Sequence, residues 1–211
     1  MGEDERIGHL TKRYPTLAPI AEEIWQAYLL LEGCYAGGGK LLVAGNGGSC
    51  ADSEHIVGEL MKGFCKDRSV PRAFAEKLLA ADPKRGAELA EKLQGGLPAI
   101  ALTGHPGLSS AYLNDVDGLL VFAQQVYGYG EEGDVFLGIS TSGNSKNVLY
   151  ALAVAKAKGM KTIVLTGRDG GELGRAADVA VIVPEQETYK IQELHLPIYH
   201  ALCLMLEDHF F

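Results

Sequence analysis

The sequence of 211 residues contains no apolar run that approaches the roughly 18 residues of a membrane-spanning helix. Its four cysteines lie far apart and form no Cys-X-X-Cys pair, which excludes a dense disulfide framework and indicates a reduced protein. The first six residues, Met-Gly-Glu-Asp-Glu-Arg, are too acidic for a signal peptide. We therefore expect a cytoplasmic protein with no association with a membrane.

Basic residues are also scarce. The chain has 19 Lys and Arg against 27 Asp and Glu, so its net charge is −8. Binding to a nucleic-acid backbone or an acidic membrane depends on clustered Lys and Arg, and this composition therefore disfavours both partners. A small phosphorylated molecule remains possible, because a single phosphate needs only local hydrogen-bond donors.

Five short apolar runs alternate with helical patterns, and short connections join them. The runs are rich in Val, Ile, Leu and Ala and occupy residues 40–44, 98–102, 135–139, 162–166 and 179–183. Alternation of this kind is typical of a parallel sheet with helices on both faces. We predict one α/β domain over residues 1–211, a three-layer sandwich with a five-stranded parallel sheet.

The remaining segments are predicted to be mainly helical. Residues 1–36 are expected to form N-terminal helices that pack on the core and on another subunit, and 63–96 a helical insertion. Residues 103–110 are predicted to be a polar loop. The last segment, 190–209, has apolar residues on almost all faces and should be a buried helix, which Pro197 is expected to kink or delay.

The segment Ser140-Thr141-Ser142-Gly143-Asn144-Ser145 stands where the third predicted strand ends and a helix begins. The free N–H groups of a first helical turn, together with the helix dipole, favour an anion at such a junction. Ser and Thr hydroxyls add neutral donors. An ordinary helix N-cap is the alternative, but one Ser or Thr would suffice for it. We therefore predict that this segment, called the serine loop below, binds a phosphate.

A second junction of the same kind follows the first strand, where residues 45–49 read Gly-Asn-Gly-Gly-Ser. It has neither the spacing of Gly-X-Gly-X-X-Gly nor the Lys of a nucleoside-triphosphate loop, which disfavours dinucleotides and nucleoside triphosphates. Loops that follow parallel strands gather at the carboxyl edge of the sheet. The two junctions should therefore contribute to one ligand site.

Four further side chains suggest chemistry. His55 and Glu59 are four residues apart and share one helix face. Gln192 and His200 are eight residues apart and differ by roughly 80° around the terminal helix, so we expect their side chains to converge on one site. His195 lies on another face of this helix and is not expected to share the site. The alternatives are purely structural: His55 and Glu59 form an ion pair on the surface, and His200 is a core histidine with a hydrogen-bond partner. Together the four could also bind a divalent metal ion, although Gln is an uncommon zinc ligand.

Taken together, residues 45–49, the pair His55 and Glu59, the serine loop, and Ile191-Gln192-Glu193 with His200 resemble the phosphoheptose isomerases. These belong to the sugar isomerase (SIS) domain family. The likeness runs from about residue 40 to the C-terminus and is interrupted by residues 63–96.

The resemblance implies isomerisation of sedoheptulose 7-phosphate to D-glycero-D-manno-heptose 7-phosphate by a homotetramer with active sites between subunits, some with bound Zn²⁺. It assigns phosphate binding to Ser140, Thr141, Ser142 and Ser145. It assigns contacts with the sugar to Asn46, Gly47, Gly48, Asn114 and Asp115. It assigns the metal and catalytic cluster to His55, Glu59, Gln192 and His200.

The isomerisation needs a proton to be removed from one carbon and returned to its neighbour through an enediol. In this interpretation Glu59 is the base for the carbon proton, and His200 moves protons between the oxygens. The chain departs from the family where a Gly-Arg pair usually follows the glutamate, and Lys62 is a possible replacement for that Arg. The alternative function is a non-catalytic SIS-domain protein that senses sugar phosphates or binds a partner such as the replication initiator.

Overall fold

The computed structural model describes residues 3–211, with side chains from Glu5 onward. The strands are β1 (Leu41–Gly45), β2 (Ala99–Ala101), β3 (Val135–Ile139), β4 (Lys161–Thr166) and β5 (Val179–Ile182). The α-helices of the described residues are α1 (Glu3–Arg13), α2 (Ala21–Ala36), α3 (Gly48–Met61), α4 (Arg72–Ala81), α5 (Gly86–Lys92), α6 (Pro106–Asp115), α7 (Val121–Tyr129), α8 (Lys146–Ala157), α9 (Gly171–Ala176) and α10 (Thr188–Phe210).

The five strands form one parallel sheet in the order β2-β1-β3-β4-β5, which confirms the predicted fold class. The strand order reverses at β1, since β2 lies on one side of it and β3 on the other. Leu42 of β1 is paired with Phe136 of β3, and this register continues to Gly45 and Ile139. The loops that follow β1 and β3 therefore leave the sheet side by side, at the position where open α/β sheets bind ligands.

Each face of the sheet carries its own hydrophobic core, because successive strand residues point to opposite faces. In β1, Leu41 and Val43 pack into the core formed with α2, α3 and α10. Leu42 and Ala44 pack into the core formed with α7 and α8. All five residues of β1 are buried, as expected for a strand covered on both faces.

The N-terminal segment packs along the terminal helix. An ion pair joins Arg6 of α1 to Asp208 of α10, with 2.7 Å between Nε and Oδ2. Within the predicted N-terminal helices, α2 begins only at Ala21, because residues Pro15–Ile20 form a 3₁₀ helix with prolines at both Pro15 and Pro19. Contact of this segment with a second subunit remains a prediction.

Residues 63–96 contain the helical hairpin α4–α5, in which no residue of α4 is buried. The prediction of a loop over 103–110 was wrong in its second half, since α6 begins at Pro106. The fixed φ of proline suits the first position of a helix, and no N–H is needed there. The helix therefore starts within a segment whose composition resembles a loop.

Helix α10 begins at Thr188 and continues through Pro197 to Phe210, so the proline does not delay its start. The missing N–H of Pro197 leaves the carbonyl of Glu193 without its helical donor, and Glu193 lies on the exposed side of the helix. Within residues 3–211, no helix is long and apolar enough to cross a membrane.

His195 of α10 should make the stability of the fold depend on pH. The side chain is completely buried against β4, with 3.3 Å between Nε2 and the carbonyl oxygen of Thr166. Burial lowers the pKa of His195 from 6.5 to about 4. The unfolded chain therefore binds one more proton than the folded chain between these two values, and stability falls as pH falls from about 6.5 to about 4.

Urea unfolding at pH 7 and pH 4 will test this effect. Between these pH values the unmodified protein is expected to lose on the order of 2 to 3 kcal/mol more than His195→Gln, which has no titrating group. Equal losses in both proteins would show that His195 does not contribute to the acid sensitivity.

Candidate functional site

The two junctions recognised in the sequence meet at the carboxyl edge of the sheet. The loop after β1 leads into α3 at Gly48, and the serine loop leads from β3 into α8 at Lys146. Between them lies a cavity of about 330 Å³, called the serine-loop cavity below. Its lining residues are Asn46, Gly47, Gly48, Ser49, Ile139, Ser140, Thr141, Ser145, Thr188 and Gln192.

The backbone of the serine loop is tightly fixed. Gly143 has φ +67°, and a Cβ atom there would collide with the carbonyl group of Gly170. The carbonyl oxygen of Gly143 accepts a hydrogen bond from the N–H of Leu173, at 2.9 Å. Only glycine fits this position, which keeps the loop against α9 and leaves its hydroxyl groups facing the cavity.

The serine-loop cavity has the chemistry of an anion site without a fixed cation. Neither Lys nor Arg is among its lining residues, whereas five of them carry hydroxyl groups, namely Ser49, Ser140, Thr141, Ser145 and Thr188. The Oγ atoms of Ser140 and Ser145 are 2.8 Å apart. Helices α3 and α8 both begin beside the cavity, so their dipoles and first N–H groups favour a negative charge there.

Most of the residues predicted to bind substrate line this cavity, but three do not. Ser142 instead accepts a hydrogen bond at Oγ from the N–H of Asn144, at 3.3 Å. Asn114 and Asp115 lie exposed at the end of α6, where the amide of Asn114 donates to Asp115 at 2.7 Å. A role for these three residues in substrate binding stays a prediction.

Sequence analysis missed two residues at this edge of the sheet, Asn147 and Thr188, and placed Ser49 in the first junction without assigning it a contact. Ser49 and Thr188 line the cavity. Asn147 forms a double amide bond with Asn46, with N–O distances of 2.9 and 2.8 Å, which links the starts of α3 and α8. The position of Asn147 just after the serine loop could have indicated that it belongs to the site. The sequence at the start of α10 contains no comparable signal for Thr188.

A second group of polar side chains lies farther along α3, where α10 runs beside it. Nε2 of His55 is 3.2 Å from Oε1 of Glu59 and 3.5 Å from Nε2 of His200. We call these three residues the His55 cluster. Both helices lead toward the cluster from the serine-loop cavity, because Gln192 lies against Gly48 and His200 against His55.

The surroundings of the cluster influence its charges. The ammonium group of Lys62 lies 3.1 Å from Oε2 of Glu59, so this lysine does reach the carboxylate. Burial lowers the pKa of His200, and the neighbouring His55 lowers it further. His200 is therefore neutral at neutral pH and can accept or donate a proton. The buried Tyr199 contributes its hydroxyl group, 3.0 Å from Nδ1 of His55.

The predicted set of four ligands is brought together only in part. Gln192 and His200 are two turns apart on α10, about 12 Å along its axis. Gln192 is so close to Gly48 that a Cβ atom there would collide with its amide nitrogen. Across residues 3–211, no group of three or more His, Cys, Asp and Glu side chains is arranged to hold a metal ion.

Two distances within the His55 cluster can be compared with those between zinc ligands. Two ligands at 2.0–2.1 Å from a tetrahedral Zn²⁺ lie about 3.4 Å from each other. The separations of His55 Nε2 from His200 and from Glu59, 3.5 and 3.2 Å, are close to this value. His55 therefore has two neighbours at such a distance, but the described residues form no complete metal site.

Comparison with known proteins identifies the relatives of this chain. A model of the SIS domain matches residues 83–167, which include the serine loop but not the His55 cluster. The phosphoheptose isomerase of Sulfurimonas denitrificans is 38% identical over 192 residues, which are 91% of this chain and 85% of that protein. That of Helicobacter pylori strain P12 is 37% identical, over 99% of this chain and 95% of the relative.

The similarity extends to solved structures. The structure of a phosphoheptose isomerase from Neisseria gonorrhoeae superimposes with a TM-score of 0.73 and 33% sequence identity. The match covers 98% of this chain and 94% of that one, so it includes both the serine-loop cavity and the His55 cluster.

Proposed function

Because this chain belongs to the phosphoheptose isomerases of the SIS domain family and is a sugar-phosphate isomerase, we propose that its substrate is sedoheptulose 7-phosphate. The product is D-glycero-D-manno-heptose 7-phosphate, formed through an enediol or enediolate. The observation that carries this proposal is that two helices, α3 and α10, connect a cavity lined by hydroxyl groups to a cluster of a carboxylate and two imidazoles. A protein that only binds sugar phosphates has no need of the cluster.

The serine-loop cavity holds the phosphate in this proposal. Ser140, Thr141 and Ser145 donate hydrogen bonds to its oxygens, and the starts of α3 and α8 stabilise its charge. Asn46, Gly47, Gly48 and Gln192 are placed to contact the sugar. This part of the site fixes the distal end of the substrate and takes no part in the reaction.

The His55 cluster performs the chemistry in this proposal. Glu59 removes a proton from carbon and returns it to the adjacent carbon, which converts the ketose to the aldose. His200, which is neutral, moves a proton between the two neighbouring oxygens. Lys62 holds the Glu59 carboxylate in place through the ion pair at 3.1 Å.

Zinc is part of the proposal as a bound cofactor. His55, Glu59 and His200 would hold the ion, and Gln192 would have to move toward them to complete the set. When bound, Zn²⁺ would polarise the carbonyl group of the sugar and stabilise negative charge on its oxygen.

We also propose a homotetramer with active sites at the subunit interfaces. Met61 of α3 and Leu196 of α10, on the helices that carry the cluster, are 50% and 40% exposed. In this proposal, a neighbouring subunit covers these two side chains. Light scattering on the purified protein should give about four times the chain mass of 22.5 kDa.

Thr141→Val will test the phosphate site. The substitution keeps the shape of the side chain and removes one donor to a charged group, which is worth about 1.5 to 3 kcal/mol. KM for the phosphorylated ketose should rise roughly 10- to 100-fold, with kcat nearly unchanged. Steady-state kinetics will measure both.

Thr11→Val is the matched control, since Thr11 lies in α1 and its hydroxyl group donates to the carbonyl of Ile7. It should leave KM unchanged. An unchanged KM in Thr141→Val as well would remove Thr141 from the phosphate site.

A further inference from the structure

Asn147 of α8 holds a residue of the proposed sugar site without lining the serine-loop cavity itself. Its side-chain amide is paired with that of Asn46, in the loop after β1, through N–O distances of 2.9 and 2.8 Å. Asn46 lines the serine-loop cavity and also a second cavity of about 330 Å³, to which Asn147 contributes. A ligand in the serine-loop cavity can therefore reach the amide of Asn46, and that amide is held by Asn147.

The amide pair is open to solvent, so it contributes little to the stability of the fold. Asn46 is exposed and Asn147 is half-buried. Water can replace the partner of an exposed amide, and the net effect of losing such a hydrogen bond on folding is small. A variant that lacks the pair should therefore fold normally, and its effect on a ligand can be measured.

The neighbouring backbone determines which way round the two amides are paired. Two amides that both turned over would form the same two hydrogen bonds, because oxygen and nitrogen would exchange places. The N–H of Val148 removes this ambiguity, since it donates to Oδ1 of Asn147 at 3.0 Å as well as to the carbonyl oxygen of Ser145 at 3.1 Å. After such a turn it would face the NH₂ group of Asn147, and two donors would oppose each other. The backbone thus orients Asn147, and Asn147 orients Asn46.

The paired amide of Asn46 keeps one donor and one acceptor for a ligand. An amide has two N–H groups and an oxygen with two lone pairs, and the pair uses one of each. A phosphate oxygen that carries no proton can only accept, so it makes no use of the free lone pair. Hydroxyl groups both donate and accept, and neighbouring hydroxyls of a sugar chain can use both free positions. Asn46 therefore suits the sugar better than the phosphate.

We infer that Asn147 is a positioning residue, which holds the amide of Asn46 in one orientation for the hydroxyl groups of the phosphorylated sugar. This inference rests on the proposed function, because it names the part of the substrate that Asn46 recognises. Without Asn147, the terminal torsion of Asn46 has only a broad, roughly two-fold preference. The sugar then has to order this side chain when it binds, which weakens its binding about 2- to 10-fold.

Steady-state kinetics of Asn147→Ala with sedoheptulose 7-phosphate will test the inference. KM should rise about 2- to 10-fold with kcat nearly unchanged, because the pair acts on binding and lies away from the His55 cluster. Inorganic phosphate, used as a competitive inhibitor, should keep its inhibition constant, since the hydroxyl groups of the serine loop are unaltered. A residue that merely joined the starts of α3 and α8 would weaken the binding of inorganic phosphate and of the sugar phosphate together.

A double-variant cycle separates an action through Asn46 from an independent one. Asn46→Ala should raise KM at least as much as Asn147→Ala, since it removes the contact itself. Adding Asn147→Ala to Asn46→Ala should cause no further rise, because no amide remains to be positioned. The matched control is Gln26→Ala, which removes an exposed amide of α2 that donates to Glu22 at 2.8 Å, and it should change neither KM nor kcat.

The positioning itself can be observed without a substrate. In ¹⁵N NMR of the free, asparagine-labelled protein, the side-chain signals of Asn46 are assigned by their absence in Asn46→Ala. Asn147→Ala should move them toward the positions of a solvated amide. The same spectra show whether each variant is folded.

The inference would be overturned by an unchanged KM in folded Asn147→Ala, by an equal rise in the inhibition constant of phosphate, or by additive effects in the double variant. Failure of the proposed function has a different signature. Sedoheptulose 7-phosphate would then not be converted by the unmodified protein, whereas the Asn46 signals would still respond to Asn147→Ala.

Discussion

Replacement of Glu59 by Gln is expected to lower kcat about 10²- to 10⁴-fold and to leave KM nearly unchanged. The amide has the shape of the carboxylate but cannot accept a proton from carbon. Glu59 is well placed for this task, since its side chain is only 14% exposed and lies between His55 and Lys62. Steady-state kinetics and calorimetric titration with substrate will separate the loss of turnover from a loss of binding.

The matched control is Glu54→Gln, which makes the same change on the same helix. Glu54 is exposed and contacts Thr103, away from the His55 cluster. Its variant should retain nearly full activity. A Glu59→Gln enzyme with an unchanged kcat would show that another group removes the carbon proton.

Removal of the Arg68 guanidinium is expected to have the largest effect on stability. Arg68 is buried and donates from Nε to Oε1 of Glu207 at 2.8 Å. It also donates to the carbonyl oxygens of Leu60 and Glu59 at the end of α3, at 2.9 and 3.2 Å, and the Leu60 carbonyl accepts a second hydrogen bond from the N–H of Leu97. The substitution Arg68→Met should lower the free energy of unfolding by about 3 to 5 kcal/mol, because it leaves Glu207 buried without its cation.

The remaining partners of Glu207 explain why this carboxylate would stay charged. Burial raises its pKa, but the N–H groups of Phe64 and Cys65 and the side chain of Arg68 outweigh that effect, so the pKa lies below its usual range. Two backbone donors at 2.8 Å persist in Arg68→Met. These donors stabilise the ionised form of Glu207, so the carboxylate in Arg68→Met stays charged and buried without a cation.

Urea unfolding of two control variants will isolate this effect. Arg72→Met breaks a fully exposed pair with Glu76 and should change stability by less than about 1 kcal/mol. The double variant Arg68→Met with Glu207→Leu removes both charges and should recover part of the loss, although the N–H groups of Phe64 and Cys65 lose their acceptor. A loss below about 1 kcal/mol in Arg68→Met alone would contradict the expected importance of the pair.

The sheet and its two ligand loops could be predicted because their signals are local. A strand that is covered on both faces of the sheet consists of consecutive apolar residues, and a ligand loop that leads into a helix is rich in Gly, Ser and Asn. The helix boundaries near Pro15 and Pro106 were predicted less well, because proline can end one helix and can also begin another. Composition alone does not distinguish these positions.

The contacts that organise the site depend on the packing of α3 against α10 and could not be predicted. Arg68 and Glu207 are 139 residues apart, and Tyr199 is 144 residues from His55. No periodicity connects such positions. Angles around one helix suggested that Gln192 and His200 converge, but the distance along its axis separates them.

The most direct measurement is incubation of the purified protein with sedoheptulose 7-phosphate in deuterated water, with and without added Zn²⁺, followed by NMR. Removal of a carbon proton by Glu59 should produce D-glycero-D-manno-heptose 7-phosphate, with deuterium at C2 wherever the proton on Glu59 exchanges with the solvent before it is returned. Glu59→Gln should form this product about 10²- to 10⁴-fold more slowly. Sedoheptulose 7-phosphate that remains unchanged with the folded, unmodified protein under both conditions would contradict the proposed function.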